Sequence, residues 1–386
     1  MHRDKFNMRI AYITEYDARD VHAWSGTSAH IARALEDQDI TLDFIGNLKV
    51  PLPHRISRKF LRAMYLLVGK KHLTRRDPAL ARQYAAQILP QLERSGADLV
   101  FSPGSIPISY LDCKQPIVFW TDATFAGALS MYPDYRNFSA KTIADGNALE
   151  QAALDRCRLA LYSSEWGARS AIENYRVSPD KVKVVPFGAN LERQNSPEEV
   201  RQWIESRDQS TCKLLFVGVD WVRKGGAILL QIAEGLRRLG IPVSVAIVGC
   251  TPAVRVPDYV RVFGFLSKSS PENRKAIQRL YAESHFLVVP SRSEAFGIVF
   301  AEASAFGLPS IATNVGGIPS VIHPEQNGLL FSLDAPIEEY AQAIAALWQS
   351  PERYRRLAHA SYREYTRRLT WEKAGETVQS LLMNLR

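Results

Sequence analysis

The chain alternates short runs of apolar, often β-branched residues with longer segments of helical periodicity, and it does so twice. In the first half the strand-like runs are MRIAYI (8–13), ITLDFIG (40–46), ADLVFS (97–102), PIVFW (116–120), RLALYSS (158–164) and VKVVPFG (182–188). Helical patterns such as GTSAHIARALED (26–37) and ALARQYAAQILPQLERSG (79–96) lie between them. The second half repeats the rhythm with KLLFVGV (213–219), PVSVAIVG (242–249), YVRVFGF (259–265), HFLVVPS (285–291), PSIAT (309–313) and GLLF (328–331). Strands buried on both faces read as continuous apolar runs, and helices between them make βαβ units on a parallel sheet. The expectation is an α/β protein of two doubly wound, Rossmann-like domains. An interdomain cleft would then lie between the carboxyl ends of two sheets, where ligands of such folds bind.

Length agrees, since 386 residues exceed one ordinary core. The polar stretch 189–212, ANLERQNSPEEVRQWIESRDQSTC, carries no strand and reads as a linker with a short helix. The boundary is expected near Asn190, giving domains 1–190 and 191–364, with helical patterning again from Pro351 onward.

Cys113, Cys157, Cys212 and Cys250 are widely separated, form no CxxC and stand beside no histidine cluster. That usage fits a reduced, cytoplasmic compartment better than a disulfide scaffold or zinc site. The apolar run near the N-terminus is too short for a signal peptide, and no window offers the roughly 18 uncharged residues of a spanning helix. The expected location is the cytoplasm, free or peripheral on the inner face of the membrane.

The net charge of +8 is mild, but its placement is uneven. From His54 to Arg76, HRISRKFLRAMYLLVGKKHLTRR holds eight Lys/Arg and no acid, with Ile56, Phe60, Leu61, Met64, Leu67 and Val68 at helix-like spacing. Two readings stay open: a basic amphipathic helix lying on anionic lipid, or a helix covering the sheet with a solvated basic face. Nucleic acid is a poor match, because aromatics in the run are confined to Phe60 and Tyr65 and no nucleic-acid module surrounds it.

Chemistry concentrates in SRSEAFGIVFAEASAFGLP (291–309), where Glu294 and Glu302 stand eight residues apart among apolar residues. Glutamate is rarely buried without a partner. The segment follows the strand HFLVVP, so it leaves a sheet at its ligand-facing end. After Gly297, residues 298–306 read as a short helix stopped by Gly307 and Pro309, with Glu294 in the preceding loop and Glu302 about one turn in. The N–H groups of Gly297, Ile298 and Val299 would point out of the helix start, which suits phosphate; an ordinary acid-capped helix start is the alternative. In KLLFVGVDWVRKGGAILLQI (213–232), Arg223 and Lys224 occupy a strand-to-helix loop ahead of Gly225 and Gly226. A guanidinium beside an ammonium there suits two phosphates, and a surface basic pair is the alternative.

The pair SRSEAFGIVFAE and FVGVDWVRKGG resembles the retaining glycosyltransferases of family 4, which have the GT-B fold. Glu294 and Glu302 match that family's E-x7-E motif. Ser163–Asn190 resembles the family's interdomain segment and Thr313–Phe331 its following strand and loop. The resemblance covers most of 158–386 and is weaker over the first 150 residues, where acceptor-binding regions diverge.

What the resemblance implies runs residue by residue. Glu294 would bond the donor sugar's hydroxyls and Glu302 the nucleotide's ribose. Arg223 and Lys224 would hold the diphosphate and stabilise the leaving group. Backbone N–H groups of Phe296, Gly297, Ile298 and Val299 would fix sugar and phosphate, and Phe265 and Leu266 would lie against the base. Gly26, in AWSGTSAHIARALE, would approach the diphosphate from the other domain, unless it is a plain turn before a helix capped by Thr27 or Ser28. The family's histidine at the end of the fourth N-domain strand is missing from FWTDATF, and Asp122 or Thr124 falls there; a helix N-cap is the alternative for Asp122. The chain from about Tyr365, 365–386, would cross back and complete the N-terminal domain.

The resemblance thus implies a retaining transferase moving a hexose-type sugar from a UDP-, GDP- or ADP-sugar to a hydroxyl acceptor on a glycan, a lipid-linked molecule or a small molecule. The donor is a substrate, and no separate cofactor is implied. No metal is expected: Asp37 and Asp39 form the D-x-D of a different glycosyltransferase fold but lie in a polar turn, and the eight histidines give no ligand set. Rival readings are a non-catalytic sugar-nucleotide-binding subunit and a GT-B epimerase.

Overall fold

The computed structural model describes residues 8–20 and 23–385; the first seven residues, which open the N-terminal stretch read above, lie outside them. The chain divides into two compact units, Met1–Pro186 with Trp371–Arg386, and Phe187–Thr370.

The first unit is a six-stranded sheet of β1 (Met8–Ile13), β2 (Ile40–Ile45), β3 (Leu99–Ser102), β4 (Ile117–Thr121), β5 (Leu159–Tyr162) and β6 (Val182–Val184). Its order is β2-β1-β3-β4-β5-β6, and every pairing is parallel. The inner strands β3 and β5 are buried along their whole length, the reason their sequences are unbroken apolar runs. Helices α1 (Thr27–Glu36), α2 (Leu52–Leu67), α3 (Pro78–Ser95), α4 (Phe125–Met131), α5 (Ala140–Arg156) and α6 (Glu165–Asn174) connect them. One core cluster runs from Ala11 and Ile13 through Ile88, Val100 and Phe119 to Ala160 and Tyr162.

In the second unit, α7 (Pro197–Ser206) leads into β7 (Cys212–Val217), α8 (Gly226–Arg238), β8 (Val243–Val248), β9 (Val260–Gly264) and α9 (Pro271–Glu283). There follow β10 (Phe286–Val289), α10 (Ile298–Ser304), β11 (Ser310–Thr313), β12 (Gly328–Phe331), α11 (Ile337–Trp348) and α12 (Pro351–Arg368). The strand order is β12-β11-β10-β7-β8-β9, again parallel throughout. Chain order reverses between β7 and β10, which pair Phe286 with Leu214 and Leu287 with Leu215. That reversal is the topological switch point, outside whose carboxyl ends α/β folds bind ligands.

The last helix, α13 (Trp371–Met383), belongs to the first unit. Trp371 stacks on His30 of α1 at 5.7 Å, and Gln379 donates to the carbonyl of Gln38 at 2.8 Å. Gly375 makes this packing possible, because a Cβ there would stand 2.4 Å from the carbonyl oxygen of Ala34.

Two expectations about helices are corrected. The stretch 54–76 is helical only as far as Leu67, after which Gly69 turns with φ 68. No residue of α2 is buried, so this helix does not cover the sheet with its apolar face. The helix read over 298–306 ends at Ser304, because Ala305 to Gly307 close with N–H bonds reaching back three residues, tighter than an α-turn. Among the described residues, no helix is long and apolar enough to cross a membrane.

Candidate functional site

Four loops leave the carboxyl ends of β7, β9, β10 and β11, and they build one constellation in the second unit. The loops after β7 and β10 touch through backbone: Arg292 N donates to Arg223 O at 2.7 Å. Gly225 makes that approach possible. It has φ 76, and a Cβ would lie 2.1 Å from the carbonyl oxygen of Pro290. The loop after β11 joins in, with Gly317 N donating to Glu294 O at 3.0 Å.

These contacts bring Arg223 and Lys224 onto Glu294, seventy or more residues away in sequence. Lys224, buried, donates its Nζ to Glu294 Oε2. Arg223 Nη1 lies 3.6 Å from the same oxygen and donates to the carbonyl of Ser293 at 3.0 Å. Asp220 holds the arginine from behind, its Oδ1 accepting from Arg223 N at 3.0 Å and its Oδ2 lying 3.5 Å from Nε. Both cations therefore sit on one oxygen of a buried carboxylate, at the switch point of the sheet.

Glu302 is a separate case, 1% exposed on α10. Tyr281 of α9 donates its hydroxyl to Oε2 at 3.0 Å, and Lys268 from the loop after β9 donates to Oε1. Burial, reinforced by the neighbouring carboxylate, pushes the Tyr281 hydroxyl well above its ordinary value, so it stays a donor. The lysine is 46% exposed and covers the acid from the solvent side. Phe265 and Leu266 precede it on the same loop; Phe265 is exposed and Leu266 half-buried.

The starts of α8 and α10 share a feature. Each follows a left-handed glycine, Gly225 and Gly297 (φ 91), and neither has a side-chain cap. Most helices of this chain that follow Ser, Thr or Asp are capped by that side chain, as at Ser196, Ser270, Thr124 and Ser164. The two helix starts at the switch point thus lack a side-chain cap on their first N–H groups, which carry the positive end of the helix dipole. An acid-capped start is not what forms at α10. Phe296 turns its ring into the core against Phe187, 5.4 Å between centroids, so only its backbone lies at the loop, and Ile298 and Val299 are half-buried.

Gly26 and Asp122 belong to the first unit, at the carboxyl edge of its sheet. Gly26 is the N-cap of α1 with φ 82, and no side chain caps that helix either. Capping by Thr27 or Ser28 is therefore corrected: both are buried in the first turn, and Ser28 O accepts from the Tyr12 hydroxyl at 2.8 Å. Asp122 follows β4 directly, and Thr124 caps α4 by accepting from Gly127 N at 3.0 Å, so the N-cap role does not fall to Asp122. Asp37 and Asp39 are exposed in the turn before β2.

Sequence reading missed Lys268, Tyr281 and Asp220. The available signal was Glu302 itself, since a buried carboxylate demands partners; which residues supply them depends on tertiary folding.

Residues 211–350 match the family model described as Glycosyl transferases group 1. A D-inositol 3-phosphate glycosyltransferase of Xylanimonas cellulosilytica is 30% identical over 225 residues, 54% of this chain and 52% of the relative. Its namesake from Segniliparus rotundus is 28% identical over 61% of this chain and 56% of the relative. The chain thus spans about half the length of the curated relatives it matches. Among solved structures, sucrose-phosphate synthase of Thermosynechococcus elongatus superposes with a TM-score of 0.69 at 16% identity, over 98% of this chain and 99% of that one. Anabaena HepE in complex with UDP and glucose gives 0.65 at 15% identity, over 98% and 100%. The protein has the GT-B fold of these structures, and its residues 211–350 match the model of the group 1 glycosyl transferases.

Proposed function

We propose that the chain is a retaining glycosyltransferase that moves a hexose-type sugar from a nucleoside-diphosphate sugar to a hydroxyl acceptor. The observation that carries this reading is the convergence of Arg223 and Lys224 on Glu294 beside two uncapped helix starts. Cations, dipoles and a sugar-bonding carboxylate at one switch point suit a ligand with a diphosphate at one end and a sugar at the other.

In this reading Arg223, Lys224 and the N–H groups from Phe296 to Val299 hold the diphosphate, and Glu294 accepts from sugar hydroxyls. Glu302, fixed by Tyr281, accepts from the ribose, and Phe265 with Leu266 flanks the base. The C1–O bond to phosphate breaks as a bond to the acceptor oxygen forms on the same face of the sugar. The acceptor's proton passes to the departing phosphate oxygen, whose developing charge the two cations stabilise. Gly26 and Asp122 are assigned to the diphosphate and the donor sugar from the first unit. The donor is a substrate, and beside it and the acceptor this chemistry requires no separate cofactor.

HepE is described with UDP and glucose, which makes UDP-glucose the first donor to try. A thermal-shift series with UDP, GDP and ADP sugars should show one base raising the midpoint, because a ligand of the folded state stabilises it. Donor hydrolysis or transfer should then vanish in Glu294→Ala and Lys224→Ala. If both variants turn over like the parent, the assignment is wrong. Binding without turnover in the parent would favour a silent sugar-nucleotide-binding subunit.

A further inference from the structure

Helix α2 turns its apolar side away from the protein. Its half-buried positions His54, Arg58, Leu61 and Tyr65 recur every three or four residues and mark the side resting on the first unit. Leu52, Ile56, Phe60, Met64 and Leu67 form a second stripe, roughly 150° around the axis at about 100° per residue. This stripe faces water: Phe60 is 64% exposed and Leu67 88%. Arg55, Lys59 and Arg62 run along one flank between the two stripes, all exposed.

The helix is nevertheless tied down. Lys70 Nζ donates to Asn137 Oδ1 at 2.9 Å, and Lys71 N donates to Asn137 O at 2.9 Å. Tyr65 stacks on His72 at 4.8 Å. An anchored helix presenting its apolar stripe outward is a surface prepared for something outside the chain.

We propose that α2 is a docking helix for an anionic lipid surface. The apolar stripe would enter the boundary between headgroups and acyl chains, and Arg55, Lys59 and Arg62 would lie at headgroup level. Charge selects this occupant, since α2 carries Arg55, Arg58, Lys59 and Arg62 and no acid, whereas Arg75 and Arg76 beyond it are already paired with Glu15 and Glu150. A second copy of the chain would set those like charges against each other. A nucleic acid would meet Leu, Ile, Phe and Met at the outermost positions, where it needs cations. The inference does not depend on the transfer reading, and its test uses no turnover.

The full chain is sedimented with vesicles of phosphatidylcholine alone and of phosphatidylcholine mixed with phosphatidylglycerol, at low and high salt. Partition onto the anionic vesicles alone, falling steeply with salt, is expected. Replacing Arg55, Lys59 and Arg62 together by Gln should weaken it on the order of a hundredfold. Ile56→Ser with Phe60→Ser should weaken it by at least about tenfold. Because α2 buries no side chain, both variants should melt like the parent, so lost binding cannot be lost folding. Equal partition onto neutral vesicles, no partition onto anionic ones, or parent-like binding by both variants overturns the proposal. So does a dimer in light scattering that dissociates in the Ile56→Ser, Phe60→Ser variant, which would make a second copy the occupant.

Discussion

Tyr281 donates its hydroxyl to Oε2 of Glu302 at 3.0 Å while Lys268 donates to Oε1, so an almost fully buried carboxylate has one neutral and one charged partner. The tyrosine comes from α9 beneath, the lysine from a loop open to solvent. If Glu302 serves the ribose, its hydroxyls approaching from solvent would meet the oxygen held by the half-exposed lysine, while Tyr281 keeps the other in place. Tyr281→Phe should therefore cost about 1–3 kcal/mol in urea unfolding, the penalty of a buried acceptor left without its donor. Nucleoside-diphosphate affinity, measured by calorimetry, should weaken with it. An unchanged midpoint and affinity would mean that Glu302 is positioned without the tyrosine.

Gly225 separates conformation from packing. At φ 76 any side chain is strained, and a Cβ would also stand 2.1 Å from Pro290 O. Gly240 has nearly the same φ, 77, with no atom within 4 Å. Gly240→Ala should cost about 1 kcal/mol and Gly225→Ala at least about 2 kcal/mol more, because a backbone oxygen cannot move aside cheaply. Equal losses in thermal melts would show that the loops after β7 and β10 tolerate separation.

What was legible in the sequence follows from where information is local. The inner strands read most directly because parallel strands buried on both faces are nearly unbroken apolar runs, as in LALY of β5 and FLVV of β10. Glu294, Arg223 and Lys224 stood out because strand-to-helix loops of α/β folds carry ligand chemistry. The pairing of those three was not legible, since it needs β7 and β10 to be neighbours, a fact of strand order. The side of α2 that faces water was hidden for a related reason. Helical spacing shows that an apolar stripe exists, and only packing shows what it faces. Gly26 illustrates a local misreading: Thr27 and Ser28 are good cap residues, but the chain enters α1 through left-handed Trp24, Ser25 and Gly26 and buries both hydroxyl residues inside the first turn.

Arg207 closes the far end of α10. Its Nη1 donates to Gly307 O at 2.8 Å and Tyr354 Oη at 2.7 Å, its Nη2 to Phe306 O at 2.9 Å and its Nε to Ala282 O at 3.1 Å. The planar fork satisfies the carbonyls of Phe306 and Gly307 in the turn after α10 and that of Ala282 in the last turn of α9. An ammonium cannot reach all four, so Arg207→Lys should lose about 3 kcal/mol or more, nearly as much as Arg207→Met. Lysine matching the parent in urea unfolding would show that charge alone suffices.

Acid should weaken the second unit through His285. Its buried ring accepts from Lys213 N at 3.0 Å, and burial, with Arg207 nearby, lowers its pKa from 6.5 to about 4. The unfolded chain binds this proton first as pH falls. The contribution is therefore complete above about pH 6.5 and erodes between 6.5 and about 4, reaching at most about 3 kcal/mol. His285→Gln has a constant cost of its own but should flatten this part of the stability–pH curve relative to the parent. Parallel curves for parent and variant would remove His285 as the cause.

Lys224 and Glu294 permit stability and chemistry to be told apart. Both are buried and share one contact, so Lys224→Met or Glu294→Gln alone leaves a charge without its main partner, a loss of about 3 kcal/mol or more. Arg223, 3.6 Å from Glu294 Oε2, compensates part of the loss in Lys224→Met, which should be the milder of the two single changes. The double variant removes both groups and should cost less than the sum of the singles, with a coupling of at least about 1 kcal/mol in a double-mutant cycle. Activity should behave differently. If the pair handles diphosphate and sugar, transfer stays absent in the double variant although its stability is partly restored. A double variant that recovers transfer together with stability would show that the pair serves the fold and that the reacting groups lie elsewhere.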